Sequence, residues 1–271
     1  MGLRVNTNIA SLNAQRHMAN VTNRIQGNYS RLASGLRIAS AADDAAGLAI
    51  SERMRSQIRS FSVAARNAQD GLSLAQTAEG ALGEVSNILS RMRELAMQSS
   101  NGTLSANDRT TLGEEYDELV LEITRIAQDT EFNGVSLLDG TTPTVDIQVG
   151  LEAGDTITLA MENITTLTVG AGDVDTDVLA QGALATIDAD IETVNIARGT
   201  LGAGQNRLTS TLRSILNARE NLSAAESRIR DVDVASETAD LTKNSIMQQA
   251  AVSVLQQANT QPQVALSLLQ G

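Results

Sequence analysis

Cysteine is absent from the 271-residue chain, and only Tyr29, Phe61, Tyr116 and Phe132 are aromatic. Without cysteine there is no disulfide to staple a core and no thiolate for catalysis or metal binding. The compartment stays open on this ground, because exported and cytosolic proteins can both lack cysteine. Four aromatic rings offer little for stacking on bases or sugars. Basic surface is scarce as well: 20 Lys and Arg stand against 32 Asp and Glu, a net charge of −12. Phosphate backbones need a cationic face, so nucleic acid is not an expected partner. Nor is there a run of apolar residues long enough to insert in a membrane. The opening Met1-Gly-Leu-Arg-Val-Asn6 lacks the apolar centre of a signal peptide. Gly2 does not read as a myristoylation site, since Asn6 stands where Ser or Thr is required.

Apolar residues make up 42% of the chain, much of it alanine, which favours helix and close helix packing over a thick core. From Gly47 to Ser99 they recur in heptads: Gly47, Ile50, Met54, Phe61, Ala64, Ala68, Gly71, Ala75, Ala78, Leu82, Val85, Leu89, Met92 and Ala96, with Gln57 as a lapse and no proline. That spacing lines one stripe of a helix and calls for a partner helix. The helix would span roughly 80 Å at about 1.5 Å per residue. A globule of this chain length is only about 50 Å across. The expectation is a rod, unless the helix breaks at Gly71, Gly80 or Gly83.

Residues 1–38 form an amphipathic pattern, with Val5, Ile9 and Leu12 and then Val21, Ile25, Tyr29, Leu32 and Leu36 on its stripe. Asn6 and Thr7 are candidate caps. Residues 37–46 read as a break, with Ser40 and Asp43 spaced as a capping box for the long helix. Asn101-Gly102 should end that helix. Ser105 with Asp108 starts another, carrying Leu112, Tyr116, Leu119, Ile123 and Ile126, which closes near Thr130 before an Asn133-Gly134 turn. Val145, Ile147 and Val149, then Ile157, Leu159 and Met161, alternate with polar residues and predict a β-hairpin. Helical heptads return from Asp177 with Ile187, Ile191, Val194, Leu201, Leu208, Leu212, Ile215, Leu222 and Ile229, interrupted by Arg198, Gln205, Arg219 and Glu226. Residues 231–236 read as a second break. A last helix carries Ile246, Met247, Ala250, Ala251, Val254, Leu255 and Ala258, and Pro262 should end or kink it.

The pattern is symmetric: end helix, break, long helix, then long helix, break, end helix. The expected fold is mainly α, an elongated antiparallel helical bundle or coiled coil with a small β-hairpin region, flanked by a paired N- and C-terminal helix domain. Domain boundaries fall at 1–44, 45–140, 141–180, 181–233 and 234–271. A pair of end helices is marginal alone in water. Their stripes therefore point to burial against other copies, and head-to-tail contacts between identical subunits give open helical filaments. The candidate polymerisation interface is Val5, Ile9, Leu12, Val21, Ile25 and Leu32, with Ile246, Ala250, Val254, Leu255 and Ala258.

Other signals read as structural. His17, the one histidine, has no second imidazole or thiol to make a catalytic or metal site with. Asp173-Val-Asp-Thr-Asp177 imitates a calcium loop, but Val178 replaces the required glycine and Leu184 the closing glutamate. Arg53, Arg55 and Arg59 sit among acids and read as a solvated helix face. Five Asn-X-Ser/Thr patterns, at Asn20, Asn28, Asn101, Asn163 and Asn221, carry little weight, because most lie in helical pattern. Ser and Thr within 140–170 could carry O-linked sugar. An enzyme housed in 131–182 would need grouped catalytic side chains, and that segment has no His, Cys, Lys or Arg. No catalytic residue, cofactor or metal is expected.

Several segments together closely resemble bacterial flagellin. They are Val5-Asn-Thr-Asn-Ile9, Ser11-Leu-Asn-Ala14, Leu32-Ala-Ser-Gly-Leu-Arg-Ile38, Asp43-Asp-Ala-Ala-Gly47, Arg93-Glu-Leu-Ala-Met-Gln98, Phe132-Asn-Gly134, Ser227-Arg-Ile-Arg-Asp231 and Leu266-Ser-Leu-Leu-Gln270. The likeness covers residues 1–140 and 180–271, with a middle much shorter than in flagellins that carry large outer domains. The resemblance implies a secreted, extracellular subunit that self-polymerises into the flagellar filament for motility. End helices would line an inner tube and long helices an outer tube, and Leu266 and Leu269 join the interface. It further implies an export apparatus and a chaperone for the C-terminal helix, a filament cap and hook-junction proteins. It maps an innate-receptor surface onto Arg91, Leu95 and Glu115. The alternative is a filament-associated hook-junction protein, which shares the end helices but does not polymerise alone.

Overall fold

The computed structural model describes residues 7–170 and 174–269, with side chains as far as Thr260. Its elements in order are α1 (Ile9–Ser34), α2 (Ala45–Ser99), α3 (Ala106–Asp129), β1 (Glu131–Phe132), β2 (Val135–Ser136), β3 (Thr144–Gln148), β4 (Thr156–Ala160), a short 3₁₀ turn (Ile164–Thr166), α4 (Asp177–Arg230) and α5 (Val234–Leu269). The chain divides into two compact units, one from residues 57–220 and one from the two flanking stretches. Among the described residues no helix is long and apolar enough to cross a membrane.

The 57–220 unit is built on the heptad seam. Ala64, Ala68, Ala75, Ala78, Leu82, Val85, Leu89, Met92 and Ala96 are all buried, and they share one core with Tyr116, Ile123 and Ala127 of α3 and Ile187, Val194, Leu201, Leu208 and Ile215 of α4. Two ion pairs fix the direction of α4 against α2: Arg93 meets Asp188 at 2.6 Å and Glu79 meets Arg198 at 3.2 Å, so the two helices run antiparallel. Arg198, a lapse in the seam by sequence, is thus a polar tie between helices. α2 continues for 55 residues through Gly71, Gly80 and Gly83. A single glycine costs a helix only about 1 kcal/mol relative to alanine, which the buried seam on either side outweighs. At Gly71 the missing side chain has a use: an added Cβ would lie 2.8 Å from Cγ1 of Ile147 on β3.

α3 starts as its sequence spacing predicts. Ser105 and Asp108 form a reciprocal capping box, with the Asp108 carboxylate accepting the Ser105 backbone N–H at 3.0 Å. β1 and β2 flank the Asn133-Gly134 turn, where both residues hold φ near +51° and +77°. This two-residue, positive-φ turn matches strand twist and suits Asn-Gly. β3 and β4 form the expected antiparallel hairpin, with Val145 opposite Leu159 and Ile147 opposite Ile157. Ile157 and Leu159 point into the core on alternate positions. Buried Asp190 on α4 anchors the return of the chain by accepting the backbone N–H groups of Thr168 and Val169 at 2.9 and 3.0 Å.

The other unit holds α1, α5, the start of α2 and the end of α4. Asn8, not Asn6 or Thr7, caps α1, its side chain accepting the N–H of Ser11 at 3.0 Å. Gly35 ends α1 in the left-handed region, at φ +71°, which costs glycine little. The cap of α2 also differs from the expected Ser40–Asp43 box. Asp44 takes the N–H of Gly47 at 2.9 Å, whereas Asp43 closes the turn before it by accepting the N–H of Ser40 at 2.9 Å. α5 runs through Pro262 to Leu269, so the proline does not end it.

Candidate polymerisation interface

α1 and α5 pack on each other, and their shared face is partly polar. Asn28 lies at its centre: its Nδ2 donates to the Glu237 carboxylate at 2.6 Å and its Oδ1 accepts from Asn244 Nδ2 at 2.9 Å. Asn28 is 7% exposed and Glu237 8%. Arg31 stands 4.0 Å from the same carboxylate and 3.6 Å from Asp43. A buried polar layer of this kind is stable only while every member is partnered, and a slipped pairing would strand it. A second polar layer joins the ends of the pair, where Asn8 Nδ2 donates to the Ala258 carbonyl at 2.8 Å and Ser11 Oγ donates to Asn259 Oδ1 at 2.9 Å.

These polar residues move the predicted stripe. Tyr29, expected on it, is 60% exposed, and Asn28 takes the inward place. Both lie within one helical step of the Ile25 row, three and four residues on, and the partner helix decides between them. Of the candidate interface residues, Ile25 and Ala258 are buried in this unit, and Val21, Leu32 and Leu255 are half-buried. Ile9 at 58%, Leu12, Ile246 at 61%, Ala250 and Val254 at 57% are exposed. Val5 and the side chains of Leu266 and Leu269 lie outside the described residues. The end helices therefore carry two sets of apolar residues, one spent on each other and one facing away. Asn8, Ser11, Asn28, Glu237 and Asn244 were not among the candidates. Their signal is position: Asn28 and Asn244 are polar residues at the three-residue spacing from Ile25 and Met247.

Where α1 and α5 meet the long helices, the two breaks are tied together. Leu36 bridges Asp231 in antiparallel fashion. The Arg37 N–H donates to the Arg230 carbonyl at 2.7 Å, and Val232 N–H donates to the Gly35 carbonyl at 3.0 Å. The Arg37 guanidinium caps the end of α4 at the Ile229 carbonyl, 2.6 Å away, and Arg230 reaches Glu52 at 2.6 Å. The segments Leu32–Ile38 and Ser227–Asp231, distant in sequence, thus form one junction. Hydrogen bonding by Arg230 holds the Glu52 carboxyl below its ordinary range, and the Ser40 backbone N–H, ahead of the Ser40 hydroxyl, does the same for Asp43. Gly47 belongs here too: an added Cβ would press on the Asp44 carboxylate and lie 2.8 Å from Ile38 Cδ1.

In the 57–220 unit, Arg91 and Glu115 are brought together. Arg91 Nη2 meets Glu115 Oε1 at 2.8 Å, and the Glu115 bond, ahead of Glu94, holds the guanidinium above its ordinary value. Leu95 does not share that surface. It is 1% exposed, because it follows buried Met92 by three residues and turns into the same core. His17 is exposed on α1. Asp173 lies outside the described residues, and Asp177 opens α4.

The chain matches the bacterial flagellin N-terminal helical region over residues 5–143 and the bacterial flagellin C-terminal helical region over residues 184–269. It is 49% identical over 269 residues to a flagellin of Halalkalibacterium halodurans, covering 98% of this chain and 99% of that one. A flagellin of Bacillus subtilis is 42% identical over 303 residues, covering 98% of this chain and 100% of its own. Among solved structures, the crystal structure of Bacillus cereus flagellin is similar at a TM-score of 0.51 and 39% identity, over 59% of this chain and 94% of that one.

Proposed function

This chain belongs to the bacterial flagellin family and is a structural subunit of the flagellar filament rather than an enzyme, and from that premise we propose which of its surfaces build the polymer. The outward apolar residues of the end helices, Ile9, Leu12, Ile246, Ala250 and Val254, meet neighbouring copies. Ile25 and Ala258, with half-buried Val21, Leu32 and Leu255, hold the α1–α5 pair in the shape that presents them. The family resemblance assigns Val5, Leu266 and Leu269 to the same interface. One observation supports this most: the inner face of the pair is already occupied, so the exposed Ile246 and Val254 have no partner left within the pair. Each exposed aliphatic side chain of this size gains about 1.5–3 kcal/mol when fully buried, and repetition along a head-to-tail polymer multiplies that gain.

In this reading residues 1–44 and 234–271 form the inner-tube domain. Residues 45–140 and 181–233 form the outer-tube rod, and 141–180 are a short β-hairpin region. Before assembly the chain is secreted through the flagellar export apparatus, with a chaperone on the C-terminal helix, and it is added beneath a filament cap next to hook-junction proteins. An innate receptor would meet the Arg91–Glu115 pair, with Leu95 supporting α2 from below. A hook-junction role is not favoured by the relatives. Electron microscopy of the purified full chain tests the polymer surface. Wild-type protein should give long uniform filaments, and Ile246→Asp with Val254→Asp should give none while keeping its helical circular dichroism. Normal filaments from the double variant would remove this surface from the interface.

A further inference from the structure

We infer that Asn8 sets the register of the α1–α5 pair by closing the carbonyl that Pro262 leaves open; this deepens, and rests on, the reading of that pair as the polymer-forming element. In an α-helix the N–H of each residue bonds the carbonyl four places back. Pro262 has no N–H, so the Ala258 carbonyl lacks its ordinary donor four residues on although α5 continues to Leu269. Ala258 is buried, and a buried carbonyl without a donor is costly. Asn8 supplies the donor from 250 positions away, Nδ2 to carbonyl oxygen at 2.8 Å.

The same amide is used at both ends. Its oxygen starts α1 by taking the Ser11 N–H, and its nitrogen completes α5. Ser11 then reaches one residue further, to Asn259. Pro262 is the only proline in α5, so the carbonyls before Ala258 have donors in their own helix and offer Asn8 less. A slip of α1 along α5 takes Asn8 away from the Ala258 carbonyl and leaves that buried acceptor without a donor. Apolar contacts between alanine-rich helices tolerate such slips; this contact does not. Asn8 is thereby a specificity-determining residue for assembly, since register decides how Ile9 and Leu12 stand relative to Val254 on the outer faces.

Four full-length chains test it: wild type, Asn8→Ser, Pro262→Ala and the double variant. Serine keeps a capping oxygen for α1 but cannot reach Ala258, and alanine at 262 restores the missing N–H. Amide exchange over residues 250–260 is followed in each. Asn8→Ser should speed exchange about tenfold when residue 262 is proline, the scale of one orphaned buried acceptor, and less than about twofold when it is alanine. Equal acceleration in both backgrounds, or none in either, overturns the inference. Electron microscopy of the wild-type chain reports separately on the filament reading: absence of filaments sinks that reading and leaves the exchange comparison valid.

Discussion

Asn28→Ala removes two side-chain hydrogen bonds at once, one to the Glu237 carboxylate at 2.6 Å and one from Asn244 at 2.9 Å. The first involves a charged group and is worth about 1.5–3 kcal/mol; the second is neutral and is worth about 1 kcal/mol. Alanine also leaves a small gap in a buried layer, which adds to the loss. Against this, Arg31 lies 4.0 Å from the Glu237 carboxylate, and it can move in to recover part of the first bond. The net cost comes to about 3 kcal/mol, roughly a hundredfold in an equilibrium constant. Seeded assembly reads it directly: the subunit concentration left after sedimentation should rise roughly a hundredfold. Replacing Asn28, Glu237 and Asn244 together by leucine separates stability from specificity. It removes the whole polar layer and leaves no buried group unpartnered, so affinity between the helices recovers in part, but slipped pairings are no longer penalised. Filaments of this triple variant should therefore be heterogeneous in helical symmetry by cryo-electron microscopy. Assembly of Asn28→Ala within about twofold of wild type would refute the idea that the buried polar layer holds the pair.

Two further outcomes follow from the same reasoning. Gly71→Val should lower the thermal midpoint of the helical signal, because its Cβ would sit 2.8 Å from Ile147 and overpacking costs about 1–3 kcal/mol; Gly80→Ala, in open space, should raise stability by about 0.5–1 kcal/mol. At the junction, Asp43 and Glu52 have lowered values in the folded chain, so their contribution is complete above the ordinary carboxylate range and disappears as pH falls through the lowered values. Amide exchange at residues 35–38 and 229–232 should stay flat from neutral pH to about pH 5 and accelerate below it after correction for intrinsic rates, and Glu52→Gln should weaken that acid dependence.

Local features were legible where the chemistry is local. The Ser105–Asp108 box closes on itself within four residues, so spacing alone located the start of α3. The α2 seam carries no proline and repeats over many turns, so the long helix was legible, while whether Gly71, Gly80 or Gly83 broke it stayed open until the buried seam showed that none does. Asn133-Gly134 fixes its own turn through positive φ at both residues. Other features depend on what comes from elsewhere in the chain. Asp44 rather than Ser40 and Asp43 caps α2, because the preceding residues are pulled onto Ile229 and Arg230 by the backbone bridge and Arg37. Asn28 turns inward in place of Tyr29 because Glu237 and Asn244 await it on α5. Leu95 faces the core shared by α2, α3 and α4, although its motif marked it for a surface.

Which segments are helices, where the period changes to strands and where the end helices carry apolar residues could all be read along the chain, since hydrophobic period and turn chemistry act over a few neighbours. Which of those apolar residues are consumed within the chain and which face away depends on the packing of α1 against α5, because a helix stripe is wider than one contact row and the partner selects the row. The same holds for Pro262. Proline in a helix reads locally as an end or a kink, and in the fold α5 runs on to Leu269 while the Ala258 carbonyl takes its donor from Asn8 at the far end of the chain.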